Sequence, residues 1–510
     1  GSEMCIRDRI HMEPKWQRIR FMPATPLGAD GARVTGCEAH IALSRRAATE
    51  GMVLLKNENE TLPLKHGTRV AVFGKAQADY VKGGGGSGDV FCAYTHNIYD
   101  GFKLKEDEGK VSVFKPTAEF YKEYVKEAGK RIPTRAQVEK IWDRVNAMSF
   151  CKEKDDIIYD TFASMHVAEA HMPDELIAEA AKNADIAIIT LSRFSAEGVD
   201  RKAIPGDYYL SNTEKSLIDR VTAAFPNTVI VLNSGAVVDC EYFAENEKVG
   251  AIIFGWQGGL EGGTATADII CGDVNPSGRL ADTIPVSYDT YQNAQEFLTG
   301  FEHLDYFDDI YVGYRYFETV PGAAEKVRYP FGFGLSYTDF EFSGAFCGES
   351  DGKIVAAVTV RNVGKVPGKE VVELYYSAPQ GKLGKPAREL AAFKKTKLLS
   401  PGESESLALS FDISDMASFD DLGKIKKSAF VLEKGAYSFH LGASVRATEK
   451  LKYEFVLNDD IIIKESKSLC RPTKLEKRLL SDGSFESLPT DEPVRSRGTH
   501  AEICLLYTSD

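Results

Sequence analysis

Short β-branched apolar runs, separated by helix-length stretches, constrain this chain more than any other feature. Arg69-Val70-Ala71-Val72-Phe73-Gly74 and the runs at 186–191, 228–232 and 251–254 read as strands buried on both faces. Between the second and third, Ser211-Asn212-Thr213-Glu214 has the form of a capping box, in which serine and glutamate bond the free amides at a helix start. Leu217, Ile218, Val221 and Phe225 supply the apolar stripe of that helix. Such strands alternating with helices specify a mostly parallel sheet with helices on both faces, an α/β sandwich. An earlier stretch, from about 37 to 63, reads as helical, with Ile41, Ala48, Met52 and Leu55 on one face, closing at Asn57 and Asn59. Residues 101–165 are charged and helical in pattern and read as an insertion.

Beyond Pro330 the period changes to two. Ile354, Ala356, Val358 and Val360 alternate along one strand, Leu407, Leu409 and Phe411 along another, and Tyr437, Phe439 and Leu441 along a third. Turn pairs at Asp351-Gly352, Pro367-Gly368, Pro401-Gly402 and Lys434-Gly435 separate them. Short alternating strands at this spacing predict an all-β sandwich of immunoglobulin-like or fibronectin type III form. After Leu457 the chain turns polar and irregular, as a linker does.

Composition excludes several functions. A net charge of −13 argues against a nucleic-acid partner, because phosphate binding needs clustered Lys and Arg. No apolar run reaches the roughly 18–20 residues that span a membrane, and the N-terminus lacks a secretory signal's apolar core. The nine cysteines, at 5, 37, 92, 151, 240, 271, 347, 470 and 504, form no CxxC pair, and no Cys/His cluster has zinc-ligand spacing. We therefore expect reduced thiols in a cytoplasmic protein, with no metal and no cofactor.

Glu197 is a candidate for chemistry by its position. It sits in Ser195-Ala196-Glu197-Gly198-Val199-Asp200-Arg201, just past the carboxyl end of the strand at 186–191, the edge of an open α/β sheet where ligands bind. A second loop, Gly83-Gly84-Gly85-Gly86-Ser87-Gly88-Asp89, also follows a strand. It lacks the GxxxxGK[ST] pattern, and Asp89 would repel phosphate, so nucleotide binding is disfavoured. Either Ser87 and Asp89 hydrogen-bond a ligand at the rim of a pocket, or the loop is a tight turn without ligand. Trp256 can stack on a ligand ring or pack behind a strand. Arg315 and tyrosines 311, 314 and 316 read as inter-domain packing.

Five ordered motifs resemble glycoside hydrolase family 3, the β-glucosidase type, over about residues 38–457. Ala47-Ala48-Thr49-Glu50-Gly51-Met52-Val53-Leu54-Leu55-Lys56-Asn57, followed by Leu62-Pro63-Leu64, is similar to the opening of that family's second domain. The Glu197 segment resembles its acid/base loop. Gly255-Trp256-Gln257 through Glu261-Gly262-Gly263, with Gly272-Asp273-Val274-Asn275-Pro276-Ser277-Gly278-Arg279-Leu280, resembles another signature. Tyr311-Val312-Gly313-Tyr314-Arg315-Tyr316-Phe317 and Tyr329-Pro330-Phe331-Gly332-Phe333-Gly334-Leu335-Ser336-Tyr337-Thr338 resemble the run into its fibronectin-like domain.

One family element is missing. The nucleophilic aspartate lies in a Ser-Asp-Trp motif on a TIM-like barrel, but the tryptophans here are Trp16, Trp142 and Trp256, none after Asp. Fewer than 40 residues precede the opening helix, against the roughly 250 of a barrel. The resemblance thus implies a permuted chain, with Lys474-Leu475-Glu476-Lys477-Arg478-Leu479-Leu480 leading to a missing C-terminal barrel. The expected plan is a leader at 1–36, an α/β sandwich at 37–334 with its insertion, a fibronectin type III-like domain at 335–457 and a linker at 458–503. Residues 1–9 and 504–510 read as sequencing-adaptor remnants. The function implied is part of a retaining, exo-acting β-glycosidase of β-glucosidase or β-xylosidase type, acting on terminal non-reducing β-linked sugars of an oligosaccharide or β-glycoside. Glu197 is then the acid/base, with Glu261 the next carboxylate to test. The alternative is a non-catalytic module that binds carbohydrate or protein.

Overall fold

The computed structural model describes residues 36–85, 90, 92, 94–149, 151–197, 199–295, 297, 304–467 and 474–490. Its first layer system is a six-stranded sheet of β1 (Val53–Asn57), β2 (Thr68–Phe73), β3 (Val111–Val113), β4 (Ile186–Arg193), β5 (Thr228–Ser234) and β6 (Val249–Phe254), ordered β1-β6-β5-β4-β2-β3. All neighbours are parallel except β1, which runs antiparallel to β6. Alternate side chains along each strand enter opposite cores. Phe73, Ile189, Leu191, Ile230, Leu232 and Phe254 pack on one face, and Val72, Ile188, Val229, Val231 and Ile253 on the other.

Helices α1 (Glu38–Gly51), α2 (Ile98–Asp107), α3 (Lys115–Gly129), α4 (Arg135–Asn146), α5 (Lys152–Ser164), α6 (Asp174–Asn183), α7 (Asn212–Ala224) and α8 (Gly262–Ile270) surround it. Helix α7 starts as its sequence predicts: Glu214 N donates to Ser211 Oγ at 3.2 Å, and Ser211 N donates to Glu214 Oε2 at 2.8 Å. Its Leu217, Ile218, Val221 and Phe225 are buried in the first core.

Three expectations change. The helix expected from 37 to 63 stops at Gly51, and Val53, Leu54 and Leu55 form the buried edge strand β1. Pairing with β6 decides this, since a continuous apolar run fits either structure until a partner is present. The helical insertion expected at 101–165 is partly sheet core: β3 extends the sheet beside β2, and α2 packs tightly on α8. A Cβ on Gly101 would meet Gly263 O at 2.4 Å, so glycine permits that approach. A three-residue strand between charged helices leaves too short a pattern to read.

The second layer system pairs two antiparallel sheets, as the period-two pattern predicts. One holds β7 (Phe340–Ser350), β8 (Lys353–Asn362) and β11 (Ser404–Asp412); the other holds β9 (Val371–Ser377), β10 (Glu389–Lys395), β12 (Gly435–Gly442) and β13 (Thr448–Leu457). Ile354, Val358, Val372, Leu374, Leu409, Tyr437 and Phe439 fill the space between them. The irregular segment expected after Leu457 is the third change. Ile461–Glu465 pairs with Ala429–Leu432, and Lys477–Leu479 forms a hairpin with Phe485–Ser487. Phe485 meets Phe307 edge-on, with ring centroids 5.7 Å apart, and Leu479 is buried. Apolar anchors, few but well placed, fix a segment whose average composition is polar.

The two systems are locked by polar contacts. Buried Arg279 pairs with buried Glu370 and donates to Gly334 O at 2.6 Å. Lys395 Nζ bonds Glu50 O and Ser277 Oγ, each at 3.0 Å. Tyr314 stacks on Phe331 at 4.5 Å and accepts from Leu390 N at 2.9 Å, while Arg315 pairs with Glu389 at 3.0 Å. Tyr311 is buried with its hydroxyl 3.5 Å from Lys385 O, and Tyr316 packs edge-on against Phe317.

Candidate active site

The carboxyl ends of the parallel strands converge on one edge. Ser195, after β4, accepts from Gln257 Nε2, after β6, at 3.0 Å. A Cβ on Gly235, after β5, would lie 2.9 Å from Ser195 Oγ, and one on Gly84, after β2, 3.3 Å from it. Glu197 lies here, exposed, at a turn. Its loop makes a parallel rung with the glycine run: Gly85 N donates to Ser195 O at 2.7 Å, and Glu197 N donates to Gly85 O at 3.3 Å. The two loops that the sequence singles out separately therefore touch. Ser87 and Asp89 lie outside the described residues.

A buried polar scaffold holds the glutamate loop from below. Arg193 ends β4 and is only 4% exposed. Its Nη1 and Nη2 grip Glu214 Oε1 and Oε2 at 2.6 and 2.9 Å, and its Nε donates to Asp207 O at 2.6 Å. Such a two-pronged pair is short and directional. Asp207, also buried, accepts from Arg201 Nε, from Lys202 N at 2.7 Å and from Tyr159 OH at 2.8 Å. The end of β4, the start of α7 and both flanks of the loop thus form one cluster. Sequence reasoning missed Arg193 and Asp207. The available signal was an arginine closing an otherwise apolar strand, since a buried charge needs a partner.

Asn233 braces the neighbouring loops. It accepts from Val81 N at 2.8 Å and donates to Val81 O and Trp256 O at 2.9 and 2.8 Å. Trp256 has φ +51°, a left-handed conformation that costs a non-glycine residue about 1–3 kcal/mol. Its ring lies 4.0 Å from that of Phe254 and packs against the first core while remaining half-buried, in agreement with the packing role.

Glu261 differs. It is 4% exposed and precedes α8. It accepts from Tyr94 OH at 2.7 Å and from Thr264 Oγ1, and lies 3.2 Å from His96 Nδ1. Burial pushes its carboxyl pKa up, but the bonds from Thr264, Tyr94 and His96 outweigh burial and hold it below the usual range. A carboxylate held ionised is a poor proton donor. Among the described residues, no three His, Cys, Asp or Glu side chains are grouped to hold a metal ion.

Residues 52–337 match the glycosyl hydrolase family 3 C-terminal domain, and residues 370–445 match the fibronectin type III-like domain. The chain belongs to glycosyl hydrolase family 3. It is 44% identical to beta-glucosidase A of Butyrivibrio fibrisolvens over 95% of this chain and 59% of that one. It is 36% identical to a beta-glucosidase of Ruminococcus albus, over 90% of this chain and 46% of that one. Among solved structures it is similar to a beta-glucosidase of Paenibacillus barengoltzii, with a TM-score of 0.77 and 35% identity, covering 92% of this chain and 50% of the other. Beta-glucosidase 3B of Thermotoga neapolitana, in complex with glucose, gives a TM-score of 0.71 at 33% identity, covering 84% and 55% of the two chains. The family 3 chain thus spans about half the length of the relatives it matches.

Proposed function

We propose that this chain supplies the acid/base half of a retaining, exo-acting β-glycosidase that removes terminal non-reducing β-linked sugars. The observation that carries this is the rung between the Glu197 loop and the glycine run at the reaction edge of the sheet. Retaining glycosidases need two carboxyl groups about 5–5.5 Å apart. Glu197 is one, protonating the leaving oxygen and then deprotonating water. The second carboxyl in this proposal is a nucleophilic aspartate outside these 510 residues, in keeping with matches that cover 59% and 46% of the relatives. Ser87 and Asp89 bond sugar hydroxyls from the glycine loop. The substrate is a β-glucoside or β-xyloside, in keeping with relatives named beta-glucosidases. A cytoplasmic location remains part of the proposal, on the cysteine pattern alone.

The test is leaving-group dependence in a chain with the barrel restored. General acid assistance is worth about 10²–10⁴-fold. Glu197→Gln should lose that factor with cellobiose or alkyl glucosides, yet release dinitrophenol from its glucoside at nearly the parent rate in the first turnover. Equal losses for good and poor leaving groups would remove Glu197 from the role.

A further inference from the structure

The helical segment ahead of α6 takes no part in the chemistry proposed above, yet one of its faces lies against the Glu197 loop. In α5, Asp155, Tyr159 and Phe162 recur at i, i+4 and i+7 and so share a face. Tyr159 and Phe162 belong to neither core of the parallel sheet. They meet the loop instead, at three places. Before the glutamate, the Phe194 ring lies 5.9 Å from that of Tyr159 and stacks on His166, just past the helix end, at 4.9 Å. Beside the glutamate, Phe162 reaches the glycine run: a Cβ on Gly85 would lie 3.5 Å from Phe162 Cε1, and Gly85 forms the rung with the loop. After the glutamate, Tyr159 OH donates to Asp207 Oδ2 at 2.8 Å. Lys202 Nζ closes this side, 2.8 Å from Asp156 and 3.1 Å from Asp155, and lies over the Tyr159 ring at 4.5 Å.

Tyr159 is the centre of this wall. It is 8% exposed, and its bond to a buried carboxylate is of the charge-assisted kind, stronger than a neutral one. The other donors to that carboxylate, Arg201 Nε and Lys202 N, belong to the loop's own flank. Among the described residues, Tyr159 alone ties it to another element. A loop bonded only to itself can shift as one body; bonded to a helix it cannot. Helix α4 backs the arrangement from behind, with Trp142 edge-on to Phe162 at 5.9 Å. Position matters for this chemistry, because a general acid must come within about 2.6–3.2 Å of the oxygen it protonates. A misplacement of about 1 Å can cost about 10²-fold.

We propose that Tyr159 is a positioning residue for the acid/base step, through which α5 holds the Glu197 loop at the reaction edge of the sheet. It acts through Asp207 and the Arg201–Lys202 flank rather than on the substrate. The inference rests on the acid/base reading of Glu197 given above.

The test has two arms. In the 510-residue chain, hydrogen exchange followed by mass spectrometry reads the loop without any catalysis. Tyr159→Phe removes only the hydroxyl, and it should speed exchange about tenfold in peptides covering 194–202, with the strand at 186–191 unchanged. Phe162→Leu should do the same through Gly85, and it carries the test if Tyr159→Phe fails to fold. Unchanged exchange in the loop, or equal acceleration in loop and strand, overturns the proposal. In a barrel-restored enzyme, Tyr159→Phe should lower kcat on cellobiose about tenfold at unchanged KM, and spare the first-turnover release of dinitrophenol from its glucoside. A merely structural role would not separate the two leaving groups, so equal losses, or a change in KM alone, also overturn it. If exchange behaves as predicted but Glu197→Gln shows no leaving-group dependence, the acid/base reading fails and the hold of α5 on the loop stands.

Discussion

Glu197 and Glu261 both follow strands of one sheet, at the same family's signature motifs, and the structure gives them opposite surroundings. Glu197 is exposed on a turn, and the buried charges lie beneath it, in the Arg193–Glu214 and Arg201–Asp207 pairs. Glu261 is itself buried, and three neighbouring side chains hold it. A carboxylate that must exchange protons with a ligand needs access, whereas one that fastens a helix start needs donors. The two sequence contexts look alike; their burial does not.

The largest effect expected concerns the division of labour that this contrast implies. On the proposed assignment the nucleophile lies outside these 510 residues, so the chain alone should not hydrolyse aryl β-glucosides or β-xylosides above background. Saturation kinetics from purified chain would show that the reacting carboxylates lie elsewhere.

The next effect tests whether the loop depends on its buried support. Arg193→Ala leaves Glu214 buried without its partner, a loss of about 3–5 kcal/mol. Urea denaturation should show this, with Arg193→Lys recovering part of it. A stability change below about 1 kcal/mol would mean that the loop does not rest on this pair.

A third carboxylate sharpens the contrast through pH. Burial pushes Glu373 up to about 7 from 4.5, against the weaker opposing bond from Tyr375. The folded state then holds that proton more tightly than the unfolded chain. Its contribution to stability is complete below the unfolded value of 4.5 and is lost as pH rises towards about 7. A shift of this size corresponds to roughly 3 kcal/mol. Thermal melts from pH 4.5 to 8 should fall across this window, and Glu373→Gln should flatten the fall; parallel curves would refute the assignment. Glu261 has the opposite sign. Its lowered pKa contributes stability that is present above the unfolded value and lost as pH falls through the folded one.

The smallest effect is that of Glu261→Gln itself. Weaker bonds to Thr264, Tyr94 and His96 should cost about 1–3 kcal/mol of stability. In a barrel-restored enzyme the ratio of rates for good and poor leaving groups should stay unchanged. A change in that ratio would give Glu261 the role assigned to Glu197.

Much of this was legible in the sequence, because both sandwiches rest on periodicity. The runs at β2, β4, β5 and β6 and the alternation at Ile354, Val358, Leu407 and Phe439 need only local pattern to be read. The Ser211–Glu214 cap is local too. What escaped is set by partners distant in sequence. Val53, Leu54 and Leu55 become a strand only because β6 lies beside them, and β3 is too short to show a period. Ile461–Glu465 is anchored by pairing with Ala429–Leu432, which composition cannot show. At the site, the position of Glu197 relative to the strand was visible, but the Arg193–Glu214 clamp and the Asp207 hub join residues that no motif links.

The most direct measurement is the product that a barrel-restored Glu197→Gln enzyme forms from dinitrophenyl glucoside in the presence of azide. Azide attacks the glycosyl-enzyme without needing a general base, so turnover should rise with azide concentration and glucosyl azide of retained, β configuration should accumulate. No azide adduct and no rate increase, with the protein folded and the first-turnover burst intact, would contradict the acid/base assignment of Glu197.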